Sequence, residues 1–210
     1  MTMMIKPKTV EEIFRKDRDY RFFQQFEIRA AGTEGSGESQ ELFVEGYACR
    51  FNEQTVLFEY DGIEYKEQVD DRAFDGANMS DVIFNYNHGG KVIARTRNQT
   101  LSLTTDKSGL YIRAKLDGTA EGRQLYEEIQ GGYIDRMSYA YIAEESAYDS
   151  TNHIRTIRKI KRLFDVSAVD IPAYDTTNIS ARSFLSAEQE IKNAELLAKR
   201  RKRLSMQSKF

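Results

Sequence analysis

The chain has one cysteine, Cys49, among its 210 residues, which excludes an intramolecular disulfide and leaves the fold to rest on its core. It has no apolar run long enough to cross a bilayer, and its start lacks the apolar segment of a secretory signal. These absences describe an intracellular, soluble protein with no membrane partner. The two histidines, His88 and His153, lie far apart and Cys49 has no CxxC partner, so a histidine-based zinc site has no further ligands at short spacing. A phosphate cradle is missing too: Gly89-Gly90 is not followed by Lys-Ser or Lys-Thr, and Gly131-Gly132 closes a helix instead of opening one. Charge of one sign is lacking overall, since 31 basic and 33 acidic residues leave a net charge of -2 and no global attraction to nucleic acid. Metal and nucleotide chemistry are therefore set aside.

What is present is a succession of short β signals. Thr9 and Glu12 form a capping box that predicts a short N-terminal helix. Residues 21–30 alternate as a strand, and the glycine-, serine- and glutamate-rich stretch 31–40 reads as a surface loop. Leu42 to Phe51 is apolar on both parities and predicts a core strand with a bulge at Gly46. Asp61-Gly62, between Thr55–Tyr60 and Ile63–Val69, is the sharpest hairpin signal because both turn positions tolerate positive φ. A meander follows, through Val82–Phe84, Val92–Arg97, Leu101–Thr104 and Leu110–Leu116. One internal helix is expected from the cap Thr119 to Gly131-Gly132, leading into a short strand at Met137. Glu144 to His153 is polar and reads as irregular. Ile154, Ile157, Ile160 and Leu163 recur every third residue, and we read them as part of a long bent strand that precedes Phe164–Val169. From Ser186 the chain turns helical and ends in Lys199-Arg200-Arg201-Lys202-Arg203. The outline is α+β, mainly β: an antiparallel barrel or sandwich decorated by helices.

Two side chains are candidates for chemistry in that outline. Ser138 begins a strand on a face shared with the small Ala140, opposite Met137, Tyr139 and Tyr141, which leaves room above its hydroxyl for a carbonyl. His88 sits where the apolar strand Val82–Phe84 meets a glycine pair, a place for a general base beside a cleft. Read singly, the ordinary reading is favoured for both: a serine at a strand start and a turn histidine. Cys49, in Tyr-Ala-Cys-Arg-Phe, reads as buried strand in preference to a thiol nucleophile.

Six ordered blocks then stand out: Val44-Glu45-Gly46-Tyr47-Ala48; Asp71 to Asp75; Asn87-His88; Ser108-Gly109-Leu110; Gly132 to Ser138; and Leu163 to Val169 running into Pro172-Ala173-Tyr174. With these blocks the segment from about Phe43 to Ser183 resembles the prohead maturation proteases of tailed bacteriophages, the HK97-like family, which is similar in fold and mechanism to the herpesvirus assemblin proteases. Relatives often carry an acidic residue directly after the histidine, where this chain has Gly89, and many have glycine at the position of Ala140.

The resemblance implies an assemblin-like antiparallel barrel, which we place over residues 21–185, between a helical arm at 1–20 and a basic helical tail at 186–210 that lie outside the resemblance. It implies a serine endopeptidase that needs no cofactor and acts inside the immature prohead in the host cytoplasm. Its partners would be the major capsid protein precursor, scaffold segments and, through self-association or self-cleavage, itself. Nucleic acid is a lesser partner for the basic tail, which lacks an aromatic platform. By position the resemblance points to His88, Ser138 and the acid Asp165, with oxyanion donors around Ala173 to Thr177. His153 competes with Asp165 for the third place, since assemblins use a histidine there, but Asp165 lies in an apolar strand and His153 in a polar turn. A catalytically silent assembly protein built on the same barrel is the alternative of a different class.

Overall fold

The computed structural model describes residues 19–34, 41–170, 193 and 196–202. Ten strands, a 3-10 turn at Thr96–Asn98 and one helix, α1 (Ala120–Gln130), follow one another along the main stretch. The strands are β1 (Asp19–Glu34), β2 (Glu41–Arg50), β3 (Thr55–Tyr60), β4 (Ile63–Val69), β5 (Ile83–Tyr86), β6 (Gly89–Arg95), β7 (Leu101–Thr105), β8 (Gly109–Lys115), β9 (Arg136–Asp149) and β10 (Ile154–Val169). Hydrogen bonding connects them in the order β3-β4-β10-β9-β1-β2-β8-β7, with β5 and β6 branching from β10. The expected barrel is not closed among the described residues, because this path ends at β3 and at β7. The sheet is also mixed where an antiparallel one was expected: β10 runs parallel to β4 at its start and parallel to β5 at its end. Strand direction leaves no trace in apolar periodicity, so this pairing is invisible to a pattern reading.

The 16-residue β10 is the spine of the molecule. Its whole length pairs with β9, and the ladder slips at four places between Ile157 and Asp165. Three of the slips insert an extra residue on β10 and the one between Lys159 and Ile160 inserts it on β9; the insertions on β10 turn a period of two into a period of three, which returns Ile157, Ile160 and Leu163 to the core with no accessible surface. The every-third-residue spacing is thus a bulged strand. β9 extends to Asp149, so residues 144–149 of the stretch Glu144–His153, expected to be irregular, are strand. That segment is held by cross-strand charge, Lys159 to Glu144 at 3.0 Å and Arg158 to Glu145 at 3.8 Å, where no apolar alternation marks it.

The remaining elements follow their local chemistry. Asp61 (φ 52°) and Gly62 (φ 74°) make the expected two-residue turn. Gly46 pairs regularly with both neighbours, and the bulge of β2 lies between Tyr47 and Cys49 instead. Thr119 Oγ1 accepts from the amide of Gly122 at 2.9 Å to start α1, and the left-handed residue that ends it is Gly132 (φ 74°), the second of the pair. Leu125, Tyr126 and Ile129 bury one face of α1 in a core built on Val44, Phe84, Ile112 and Tyr139. β1 runs on to Glu34, so the first four residues of the loop expected at 31–40 are strand, while the N-terminal helix expected at Thr9 and residues 35–40 lie outside the described residues. Of the expected tail, residues 193 and 196–202 are helical, and no helix among the described residues is long and apolar enough to cross a membrane.

Candidate active site

Three strands bring one polar row into the interior. On β10, Asp165 and Ser167 are alternate residues and share a face. The ladder sets Ser167 opposite Ser138 of β9 on one side and opposite Asn85 of β5 on the other. Ser138 and Ser167 have no accessible surface, and Asn85 and Asp165 retain 5% and 4%. Burial of four polar residues together is sustained only by mutual hydrogen bonding.

The histidine arrives from a different direction, on the hairpin between β5 and β6. Asn87 (φ 49°) and His88 (φ 55°) both take the left-handed backbone, the same two-residue turn that Asp61-Gly62 forms elsewhere but with a histidine where a glycine would sit without cost. The turn is tied to β10 by the Asn87 amide, which donates to the Ala168 carbonyl at 3.0 Å. Its side chains are tied to Asp170: the Tyr86 hydroxyl donates at 2.7 Å and Asn87 Nδ2 at 3.1 Å. The Asp170 carboxylate at its oxygen raises the Tyr86 phenol above its ordinary range.

These supports aim the imidazole into the row. His88 Nε2 lies 2.5 Å from Ser138 Oγ, and His88 Nδ1 lies 2.5 Å from Asp165 Oδ1, with the His88 side chain 9% exposed. Ser167 Oγ lies 3.1 Å from His88 Nδ1 and 3.0 Å from Asp165 Oδ1, and it also meets Oδ1 of Asn85. The structure therefore brings together all three residues singled out from the sequence. It adds Ser167, Asn85 and Asp170, which the sequence reading missed. The signal for Ser167 was available in its spacing, two residues past Asp165 on one strand; Asn85 and Asp170 are matters of pairing and had none.

The other candidates are placed elsewhere. His153 (φ 55°) occupies the turn that starts β10, its ring 5.0 Å from that of Tyr65 and its Nδ1 3.3 Å from the Tyr148 hydroxyl. It stands twelve residues from Asp165, up to about 40 Å along an extended strand. Cys49 is buried beside the Tyr139 hydroxyl, and burial pushes its thiol up to about 12, so it carries no thiolate near neutral pH. Among the described residues no cluster of three or more His, Cys, Asp or Glu side chains is placed to hold a metal. A cleft of about 460 Å³ borders the hairpin, lined by Tyr86, Asn87, Ile93, Leu125 and Glu128 among others, and neither Ser138 nor Asp165 lines it.

A hydroxyl, an imidazole and a carboxylate in hydrogen-bonded sequence are the equipment of a serine hydrolase. Residues 24–192 match the caudovirus prohead serine protease family. The chain belongs to that family and is a phage prohead protease of the serine type. Among solved structures the capsid assembly protease of bacteriophage T4 is similar at 16% identity, with a TM-score of 0.43 and 70% of this chain and 98% of that one covered. No curated protein sequence matches.

Proposed function

We propose that this protein is an endopeptidase that cleaves capsid precursor and scaffold chains, and itself, inside the immature prohead, with Ser138 as nucleophile, His88 as base and Asp165 as orienting acid. The observation that carries the reading is the line Ser138 Oγ, His88 Nε2, His88 Nδ1, Asp165 Oδ1, with both gaps at 2.5 Å. As Oγ attacks the scissile carbonyl carbon, its proton passes to Nε2, and Asp165 stabilises the imidazolium through Nδ1-H. The same proton then leaves with the amine as the acyl-enzyme forms, and a water deprotonated by His88 hydrolyses the ester. The oxyanion donors anticipated around Ala173 to Thr177 lie outside the described residues.

Ser138 is fully buried, so a substrate reaches Oγ only when a neighbour yields. Backbone pairing of Asp19–Phe22 with Tyr141–Ser138 fills the edge of β9 at the nucleophile, where an extended substrate strand would add. The basic tail, with exposed Leu196 and Leu197 beside Lys199 to Lys202, serves as a docking element for acidic scaffold segments. Removing residues 186–210 then leaves peptide cleavage intact and lowers incorporation into assembling shells.

Co-expression with the major capsid precursor tests the function. Shortening of the precursor or of the protease itself is expected with the intact chain and is expected to stop in Ser138→Ala; unchanged processing in that variant would reject the enzyme mechanism.

A further inference from the structure

Ser167 has no part in the proton transfers just described, yet it touches two of the three groups that make them. Its Oγ, with His88 Nδ1 and Asp165 Oδ1, closes a triangle with sides of 3.1, 3.0 and 2.5 Å. It is held there by strand geometry: Asp165 and Ser167 are fixed by the same ladder, and Ser167 is directly opposite both Ser138 and Asn85. No solvent reaches it.

Proton counting assigns the direction of these contacts. His88 Nδ1-H is a donor, and the ionised Asp165 only accepts. The Ser167 hydroxyl carries one proton, and both Asp165 Oδ1 and the Asn85 amide lie within its reach. Asn85 Oδ1 faces Ser167 Oγ and competes with Asp165 for its one proton; the two ends of an amide fill the same space, and exchanging them presents the amino group to Ser167 Oγ and frees the hydroxyl proton for the carboxylate. The last torsion of an aspartate is broad and does not fix the carboxylate by itself. A second donor on Oδ1 removes that freedom.

We propose that Ser167 is a positioning residue of the catalytic group: it donates to Asp165 Oδ1 and keeps that oxygen in line with His88 Nδ1, while Asn85 anchors Ser167 from β5. The inference rests on the Ser138, His88 and Asp165 reading above. It makes the working unit a five-residue row, Asn85, Ser167, Asp165, His88 and Ser138, drawn from β5, β10, the hairpin and β9.

The test uses a fluorophosphonate, which phosphonylates an activated serine and separates reaction (kinact) from binding (KI), read by intact mass on the full chain. Ser167→Thr and Ser167→Val add the same volume and differ in the hydroxyl. Ser167→Val is expected to lower kinact about 10- to 100-fold at unchanged KI, the range of a hydrogen bond to a charged group, and Ser167→Thr to restore most of it. Equal kinact in the two variants, or a loss confined to KI, would overturn the proposal. If the added methyl prevents folding, Ser167→Ala replaces the pair: it is expected to lower kinact at an unchanged melting temperature. In that background Asn85→Ala then costs little more, whereas losses that multiply would overturn the coupling. Ser138→Ala in the same assay keeps the two levels apart. Persistent labelling there would reject the underlying mechanism, and a silent Ser138→Ala with indistinguishable Thr and Val variants would reject the role of Ser167 alone.

Discussion

The two ends of β10 are built alike and serve differently. At its start a polar row crosses three strands, Glu67 of β4, Arg155 of β10 and Tyr148 of β9; at its end another crosses three, Asn85 of β5, Ser167 of β10 and Ser138 of β9. Each end has one histidine, and both histidines sit in tight turns at φ 55°. At the start, Arg155 donates to Glu67 at 3.1 Å and Tyr141 donates to the other Glu67 oxygen at 3.2 Å, with both charged side chains essentially inaccessible. A fixed cation has met a fixed anion, and His153 packs on tyrosines. At the end, the row is made of groups that exchange protons, and His88 bridges a hydroxyl and a carboxylate. Backbone conformation and turn chemistry are shared by the two histidines, so the partner groups decide which of them does chemistry.

The largest break in this comparison is Asp165→Asn. The amide preserves the shape but presents a donor or a neutral acceptor to His88 Nδ1, and turnover is expected to fall by about 10⁴, near 5 kcal/mol of transition-state stabilisation, with KM and melting temperature little changed. Steady-state kinetics on a capsid-derived peptide measures it. At the opposite end Glu67→Gln is expected to act on stability instead. It leaves Arg155 buried without its counter-charge, costing about 3 kcal/mol and lowering the melting temperature by about 10 °C, while activity per folded molecule holds. Calorimetry with active-site titration separates the two quantities. The smallest effect belongs to His153→Asn, in which asparagine keeps the left-handed turn while the ring contact with Tyr65 and the Nδ1 contact with the Tyr148 hydroxyl are lost. About 1 kcal/mol of stability and no activity are expected to go.

Most of the hairpins and the helix were legible in the sequence because their signals are local: Asp61-Gly62 fixes a turn by backbone tolerance, and Thr119 caps α1 through a bond to the amide three positions on. Ser138, His88 and Asp165 were legible as a group through the resemblance; taken singly each had an ordinary reading. What could not be read was set by pairing. The extension of β9 past Glu144 depends on charge partners across the ladder. The parallel partners of β10 depend on strand direction, and Asn85 acquires its role only because β5 lies beside Ser167. The third-residue spacing of Ile157, Ile160 and Leu163 was visible, and its cause, a succession of bulges, became clear only with the register.

The central claim is that chemistry resides at the His88 end of β10. Fluorophosphonate labelling followed by peptide mapping tests it directly, on the intact chain and on His88→Ala and His153→Asn. The label is expected on Ser138 in the intact chain and in His153→Asn, and absent in His88→Ala. Labelling of a different serine, or labelling of Ser138 that depends on His153 and survives loss of His88, would contradict the account.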